Sequence, residues 1–347
     1  MYLVTTELEW TTGKVNAYHS SIYSNEVIRL LQKRIEDPAY ATSDATIAAV
    51  ASMATIEFGR KNMVMGKIHL NGLKRMVALR GGLLRIAFSN PCVAAAVHWF
   101  TLNTLHESIF PVDDTVDQSI HLEYLLQDVI NDNVCLSSNY LAASALGLES
   151  DISDALVEAR YLCEKFNMSR FDNVHWPVNS IIQRLLHFNT TNKTTFTTSL
   201  NDACRYAICI FLFLPFGNQF PDPSLLVNTY LYKLKGSLNQ LVISSISNIP
   251  LLFWLLSIGA AISTNSLERD WFVGHLIPVA ESLDISSWKD MEQRMQQILW
   301  ISNYLDCLFV RVWTDVKHRI AARDIDEPFM TSKDITRPPN SPPTIVS

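Results

Sequence analysis

Apolar residues recur at helical spacing along most of the chain, and two segments show this pattern most clearly. Thr42-Ser43-Asp44 can cap a helix whose apolar residues share one face, namely Ile47, Val50, Ala51, Ala54 and Phe58. A second helix is predicted from Asp151, where steps of three and four residues connect Ile152, Leu156, Ala159, Cys163 and Phe166. We expect both to be amphipathic helices at the surface.

Further helices are predicted downstream. Pro177 suits the first position of a helix, where its missing N–H is not needed, and this helix carries Ile181, Ile182, Leu185 and Leu186. One long final helix is predicted to run through Trp288, Met291, Met295, Ile298, Leu305 and Val312. Strand-like alternation is absent, so the predicted fold is all-α, a multi-helix array or bundle in a single large helical domain.

The predicted helical domain covers residues 1–321, and residues 322–347 are predicted to be a disordered, proline-rich tail. Four prolines prevent helix formation in that tail, namely Pro338, Pro339, Pro342 and Pro343. The threonine-rich segment 189–199 is predicted to be a loop. Its glycosylation-like triplets at Asn189 and Asn192 are attributed to chance, because we expect no secretory signal.

The composition predicts a globular protein. Hydrophobic residues make up 48% of the chain and charged residues 18%, which allows a large core to be buried. Two apolar runs, 207–216 and 251–262, are shorter than the roughly 20 residues that cross a bilayer, and we expect buried helices there. The N-terminus lacks a basic start followed by an apolar stretch, so neither export nor membrane contact is predicted.

Charge is divided sharply between two neighbouring segments. Residues 60–85 contain seven lysines or arginines and no acid, whereas residues 86–159 contain eleven acids and no lysine or arginine. The two segments could face each other across the fold, or both could be solvated surfaces. Alternatively, the basic helix is a docking surface for another protein or an acidic segment. Direct DNA binding is not expected, because the nearby acids would repel phosphates.

The basic segment includes HLNGLKRMVALRGGL, residues 69–83, which predicts a packed helix with a defined end. Helical geometry places Met65, Ile68, Gly72, Met76 and Leu79 on one face, and Arg60, Lys67 and Lys74 on the opposite face. Gly72 is therefore expected where a partner helix approaches closely. Gly81-Gly82 allows a left-handed helix end, and we expect Arg80 to contact the last carbonyls. A phosphate site is not expected, because the glycines follow the helix.

No sequence motif for catalysis, a cofactor or a metal is present, so we assign no catalytic, cofactor-binding or metal-binding residues and predict a non-enzymatic protein. Six scattered cysteines indicate reduced, mostly buried thiols rather than disulfides or a zinc site. His98 and His106 lie eight residues apart, which is unfavourable for a shared metal. His69 is expected to be a hydrogen-bonded histidine at the edge of the core.

Two other functional classes remain open. An enzyme could assemble its site from distant residues without a local motif. A small-molecule sensor could line a pocket with aromatic side chains, although plain core packing is the simpler interpretation of Trp99, Phe100, Trp254, Trp271 and Phe272.

Three blocks resemble the regulatory domain of fungal zinc-cluster transcription factors. The segment HLNGLKRMVALRGGL is similar to that family's His-x-x-Gly-Leu followed by Arg-Gly-Gly. The second block, PLLFWLLSIGAAIS from Pro250, continues with Glu268-Arg269-Asp270-Trp271-Phe272, then Ser287-Trp288 and Leu299-Trp300. The upstream segment SSIYSNEVIRLLQKRIEDPAYATSDATIAAVASMATIE is similar to the family's opening helices. The resemblance extends from about Tyr18 to Val312.

The resemblance implies a nuclear regulatory domain that works in transcription through protein partners, a second copy or a small-molecule effector. Without the resemblance we would predict a cytoplasmic location. The family's DNA-reading element is a six-cysteine zinc cluster in a short basic segment, and this sequence does not contain one. DNA recognition is therefore not carried over from the family to this chain. Either the chain is a fragment that lacks its N-terminal part, or it is a relative that has lost the cluster and acts only through partners.

Overall fold

The computed structural model describes residues 17–105, 110, 136, 138–167, 175–187, 195–216, 224–242, 248–301 and 304–326. Thirteen α-helices and one short 3-10 helix occupy most of these ranges, which contain no β-strand. The prediction of an all-α, multi-helix fold is therefore confirmed.

Five helices form the N-terminal part, and short connections join them. They are α1 (Ala17–Glu36), α2 (Asp44–Gly59), α3 (Met63–Leu79), α4 (Leu83–Ser89) and α5 (Pro91–Leu105). Helix α2 begins as predicted, because the Ser43 side chain accepts a hydrogen bond from the Thr46 N–H at 3.4 Å. It is not a surface helix, however. It packs against α1, α3 and α5, and only its residues Ala45 and Gly59 are exposed.

Eight helices form the larger C-terminal part. They are α6 (Ser150–Asn167), α7 (His175–His187), α8 (Thr195–Phe216), α9 (Ser224–Val242), α10 (Ile249–Ile262), α11 (Ser266–Ser282), α12 (Trp288–Gln296) and α13 (Asp306–Asp326). The short 3-10 helix Ala143–Leu146 precedes α6. The amphipathic helix predicted from Asp151 corresponds to α6, in which the predicted face is buried except for the half-buried Phe166.

Two hydrophobic cores lie side by side, and α5 belongs to both. Ala94 and Val97 of α5 pack into the N-terminal core, whereas Trp99 and Leu102 pack into the C-terminal core. Phe100 contacts both cores. Helix α5 thus connects the two parts, and its neighbour on the C-terminal side is α7.

Both long apolar runs are interior helices, as predicted. Helix α10 has ten buried residues among its fourteen, and the apolar half of α8 is buried from Ala207 through Phe213. None of the helices in the described ranges combines the length and the apolar character needed to span a membrane.

The single long final helix was a wrong prediction, because residues 297–301, which follow α12, are not helical. Ile298 to Ile301 are almost completely buried in this non-helical stretch. Its backbone carbonyls bond to side chains: Trp254 Nε1 donates to the Leu299 carbonyl at 3.0 Å, and Arg160 Nε donates to the Ile298 carbonyl at 2.7 Å. Buried carbonyls with such partners do not require a helix.

Two predicted boundaries also differ from the structure. Helix α8 begins at Thr195, so the predicted loop 189–199 is wrong over its last five positions; residues 189–194 lie outside the described ranges. Burial of Ser199 and Leu200 shows that packing outweighs the weak helix preference of the threonines. Helix α13 continues beyond residue 321 to Asp326, and the remainder of the predicted tail is not described.

Candidate interaction surface

The buried side of α3 is not the one that the sequence led us to expect. Gly66, Leu70, Leu73, Met76 and Val77 are its buried residues. The nearest neighbour of Gly66 is the ring of Phe58, whose Cδ2 would lie 2.9 Å from a Cβ at this glycine. Gly66, not Gly72, is therefore the glycine of α3 that allows close packing.

The predicted packing side of α3 is largely open to solvent. Of its five predicted residues, Ile68 and Leu79 are 56% and 70% exposed, Met65 and Gly72 are half-buried, and Met76 is buried. The neighbouring Val64 is 70% exposed, and a Cβ at Gly72 would meet nothing within 4 Å. The expectation that a helix of the same fold approaches Gly72 is therefore wrong. Exposed apolar side chains at one side of a helix mark a candidate binding surface.

Basic side chains flank these apolar residues. Lys67, Lys74 and Arg75 are exposed, and none of them forms an ion pair within the described part of the chain. We call the exposed side formed by Val64, Ile68, Gly72, Leu79, Lys67 and Lys74 the α3 outer surface. It combines apolar contact area with positive charge that no carboxylate of the described ranges neutralises.

Two other cations of the segment 60–85 do form ion pairs, and their partners are carboxylates that come before residue 60 in the chain. Arg60 lies 3.9 Å from Glu57, and Arg80 lies 3.0 Å from Asp44. The acids between 107 and 132 lie outside the described residues, so a contact between them and α3 stays untested. Within the described acidic segment, Glu158 pairs with Arg184 of α7 instead, and burial raises the pKa of Glu158 more than this ion pair lowers it.

The end of α3 is built by the residues that carry the resemblance. Gly81 and Gly82 have φ values of 84° and 96°, a conformation that glycine adopts without strain, as predicted. Arg80 does not contact the carbonyls of its own helix with its side chain. Its guanidinium bonds to the Thr42 carbonyl at 2.8 Å and to Asp44, and it thereby fixes the end of α3 to the start of α2.

His69 lies half-buried beside the packed side of α3. Its Nε2 atom is buried without a hydrogen-bond partner, so the predicted hydrogen-bonded histidine is wrong at this atom. Burial lowers the pKa of His69, and the nearby Glu57 opposes that effect. A half-buried, largely neutral imidazole is consistent with a packing role.

The second block of the resemblance builds the interior of the C-terminal part. A Cβ at Gly259 would overlap the ring of Phe272, so this glycine lets α10 and α11 approach each other. Arg269 joins two further elements, since it bonds to Asp315 of α13 at 2.6 Å and to the Ala260 carbonyl at 2.8 Å. These residues hold helices together, and they do not converge on an open site.

The aromatic residues proposed for a ligand pocket lie mainly in the core. Trp99, Trp254 and Phe272 are each at least 97% buried. Trp99 packs edge-on against Phe213, at a centroid distance of 5.9 Å. Half-buried Trp271 stacks beside His275 at 4.3 Å. Their surroundings are those of packed core residues.

Arg160 is the most important interior residue that the sequence did not indicate. It is 98% buried in α6 and donates to the carbonyls of Leu141, Gln297 and Ile298, while its guanidinium lies 4.7 Å from the centre of the Tyr140 ring. Burial lowers the pKa of Arg160 to about 10. The side chain bonds three backbone carbonyls and so acts as a clamp, and no carboxylate of the described ranges pairs with it.

His98 is fully buried, and it lies where α5 meets α7. Its Nδ1 donates to Asn179 Oδ1 at 3.1 Å, because a carbonyl oxygen can only accept. Burial lowers the pKa of His98 to about 4, and the bond to Asn179 partly opposes this shift. His106 lies outside the described residues.

Metal and thiol chemistry gain no support from the described residues. Among them no three histidine, cysteine, aspartate or glutamate side chains are grouped as a metal site would require. The described cysteines are free thiols: Cys163, Cys204 and Cys209 are buried, and Cys92 and Cys307 are exposed. Burial raises the pKa of Cys209 to about 12, which keeps this thiol protonated and unreactive.

Comparison of the chain with known protein families, with characterised proteins and with solved structures finds no match. The resemblance to fungal zinc-cluster regulators consequently depends on the three sequence blocks quoted above.

Proposed function

We propose that this chain is a non-catalytic regulatory domain, of the type found in fungal zinc-cluster transcription factors, that acts by binding other proteins. The observation that carries the proposal is the α3 outer surface. Val64, Ile68 and Leu79 are exposed there near cations that form no ion pair with a described residue. Most large apolar side chains of the described ranges are buried. An apolar surface that the fold itself leaves uncovered is typical of a protein-binding site.

The sequence blocks that resemble the fungal domain support the same proposal. Gly259, Arg269 and Arg80 hold pairs of helices together, which is the work of a scaffold. The scaffold then presents α3 at the surface. We also propose that the domain acts in the nucleus, where protein partners connect it to transcription.

A tethering experiment tests this function. The full chain is fused to the DNA-binding domain of an unrelated bacterial repressor and directed to a reporter promoter in fungal cells. Transcription of the reporter should rise or fall relative to the DNA-binding domain alone. If an intact, nuclear fusion leaves transcription unchanged, the proposed function is wrong.

A further inference from the structure

The α3 outer surface carries apolar and basic residues on adjacent strips of one helix. At 100° per residue, Val64, Ile68, Gly72 and Leu79 fall within an arc of about 80° that also contains the exposed Arg75. Lys67 and Lys74 lie about 60–80° beyond the Val64 edge of that arc, between it and the packed Leu70. We propose that this surface binds an amphipathic helix of a partner protein whose apolar face is flanked by acidic residues, an inference that rests on the protein-binding function proposed above.

The dimensions of the surface suit a helix as the occupant. From Val64 to Leu79 the strip is about 22 Å long at 1.5 Å per residue, which corresponds to roughly four helical turns. Gly72 lies in the middle of the strip and has no neighbour within 4 Å of its missing side chain. A partner backbone can therefore approach closely at this position, with larger apolar contacts at Ile68 and Leu79 on either side.

The positive charge of the surface favours a partner helix with acidic residues beside its apolar face. Lys67, Lys74 and Arg75 are exposed without an ion-pair partner in the described ranges, and residues 60–85 contain no acid. Glutamates or aspartates beside the apolar face of the partner would satisfy this charge. Nucleic acid would be attracted by the same cations, but its phosphates would leave Ile68 and Leu79 without apolar contacts.

A defined peptide provides the probe. It is a fluorescein-labelled helix of about 18 residues, with leucines along one face and glutamates along one flank. Fluorescence anisotropy with the full chain should show saturable binding. A control peptide of identical composition, with leucines and glutamates interleaved so that no apolar face forms, should bind at least about tenfold more weakly.

Charge exchange tests whether the peptide lies on α3. The double variant Lys67→Glu/Lys74→Glu should weaken binding by about tenfold or more, because attraction is replaced by repulsion at two positions. A peptide with lysines in place of its glutamates should prefer this variant to the unmodified chain. Lys289→Glu/Lys317→Glu, which reverses two exposed lysines on α12 and α13, should leave binding unchanged.

Ile68→Ser tests the apolar strip separately, and it should weaken the binding of the acidic peptide. The melting temperature should stay the same, because Ile68 is exposed. The inference is wrong if the interleaved peptide binds equally well, or if charge reversal on α3 has no effect. It is also wrong if the chain binds duplex DNA or phosphatidylserine vesicles through Lys67 and Lys74 but not the acidic helix. A responsive tethered reporter with no peptide binding would remove this inference and leave the proposed function standing.

Discussion

Helices α3 and α10 both contain a glycine within a segment that resembles fungal regulators, yet the fold uses them in opposite ways. Ten of the fourteen residues of α10 are buried, and Gly259 receives the ring of Phe272. Only five of the seventeen residues of α3 are buried, and a Cβ at Gly72 would meet nothing within 4 Å. One block therefore builds the interior, whereas the other contributes a surface.

Gly259→Ala should lower the free energy of unfolding by about 3 kcal/mol or more, because the new methyl group overlaps the ring of Phe272 within a packed core. Chemical denaturation followed by circular dichroism measures the change. Gly274→Ala on the neighbouring α11 is the control, since a Cβ there meets nothing within 4 Å. Equal stability of the two variants would contradict the close contact between α10 and α11.

Arg160→Met should lower the free energy of unfolding by about 3 kcal/mol, because the buried carbonyls of Leu141 and Ile298 lose their donor. The Gln297 carbonyl keeps the Leu141 N–H as a donor at 2.8 Å. The same denaturation experiment measures this loss. Arg160→Lys should recover only part of it, since lysine cannot reproduce the planar set of donors. If Arg160→Met were as stable as the unmodified chain, Arg160 would not be the clamp on residues 297–298.

The contact between the two parts should depend on pH through His98. Because burial depresses its pKa to about 4, the unfolded chain binds a proton between about pH 6.5 and pH 4 that the folded chain does not. Neutral His98 therefore contributes fully to the free energy of unfolding above pH 6.5. This contribution, about 2–3 kcal/mol, is lost as the pH falls toward 4.

Unfolding titrations at pH 7 and pH 4.5 measure the effect of His98. The difference in the free energy of unfolding between these two pH values should be smaller in His98→Gln, which cannot titrate. An identical difference in both proteins would show that His98 is not held neutral between α5 and α7.

Gly72→Ala should raise the free energy of unfolding by about 0.5–1 kcal/mol, because alanine is the better helix former and its methyl group meets nothing. Gly66→Ala on the same helix should be less stable than Gly72→Ala, since its methyl group would press on Phe58. Thermal unfolding of the two variants measures the difference. A destabilised Gly72→Ala would restore the packed interpretation of this position.

The sequence predicted the interior helix more reliably than the surface helix, for a physical reason. Residues 251–262 are apolar around the whole helix, so only burial suits them. Helix α3 instead has two apolar sides, one through Ile68 and Gly72 and one through Leu70 and Leu73. Periodicity alone does not indicate which of two apolar sides is packed, and contact with Phe58 decides it.

The clamp at Arg160 was beyond prediction from sequence. Its carbonyl partners at Gln297 and Ile298 lie 137 and 138 residues away, and a carbonyl leaves no signature in the sequence. Helical spacing between Met295 and Leu305 predicted one helix, whereas the structure has two. The bonds from Arg160 to the carbonyls of Gln297 and Ile298 stabilise the non-helical residues between them. In contrast, the Ser43 cap and the Gly81-Gly82 end depend on local chemistry and were predicted correctly.

The tethered reporter with α3 variants is the most direct test of the central claim, which is that α3 is the protein-binding surface of a regulatory domain. Lys67→Glu/Lys74→Glu is compared with Lys289→Glu/Lys317→Glu at equal expression and equal melting temperature. We expect the α3 variant to lose the effect on transcription and the control variant to retain it. An unchanged effect in the α3 variant would contradict the claim.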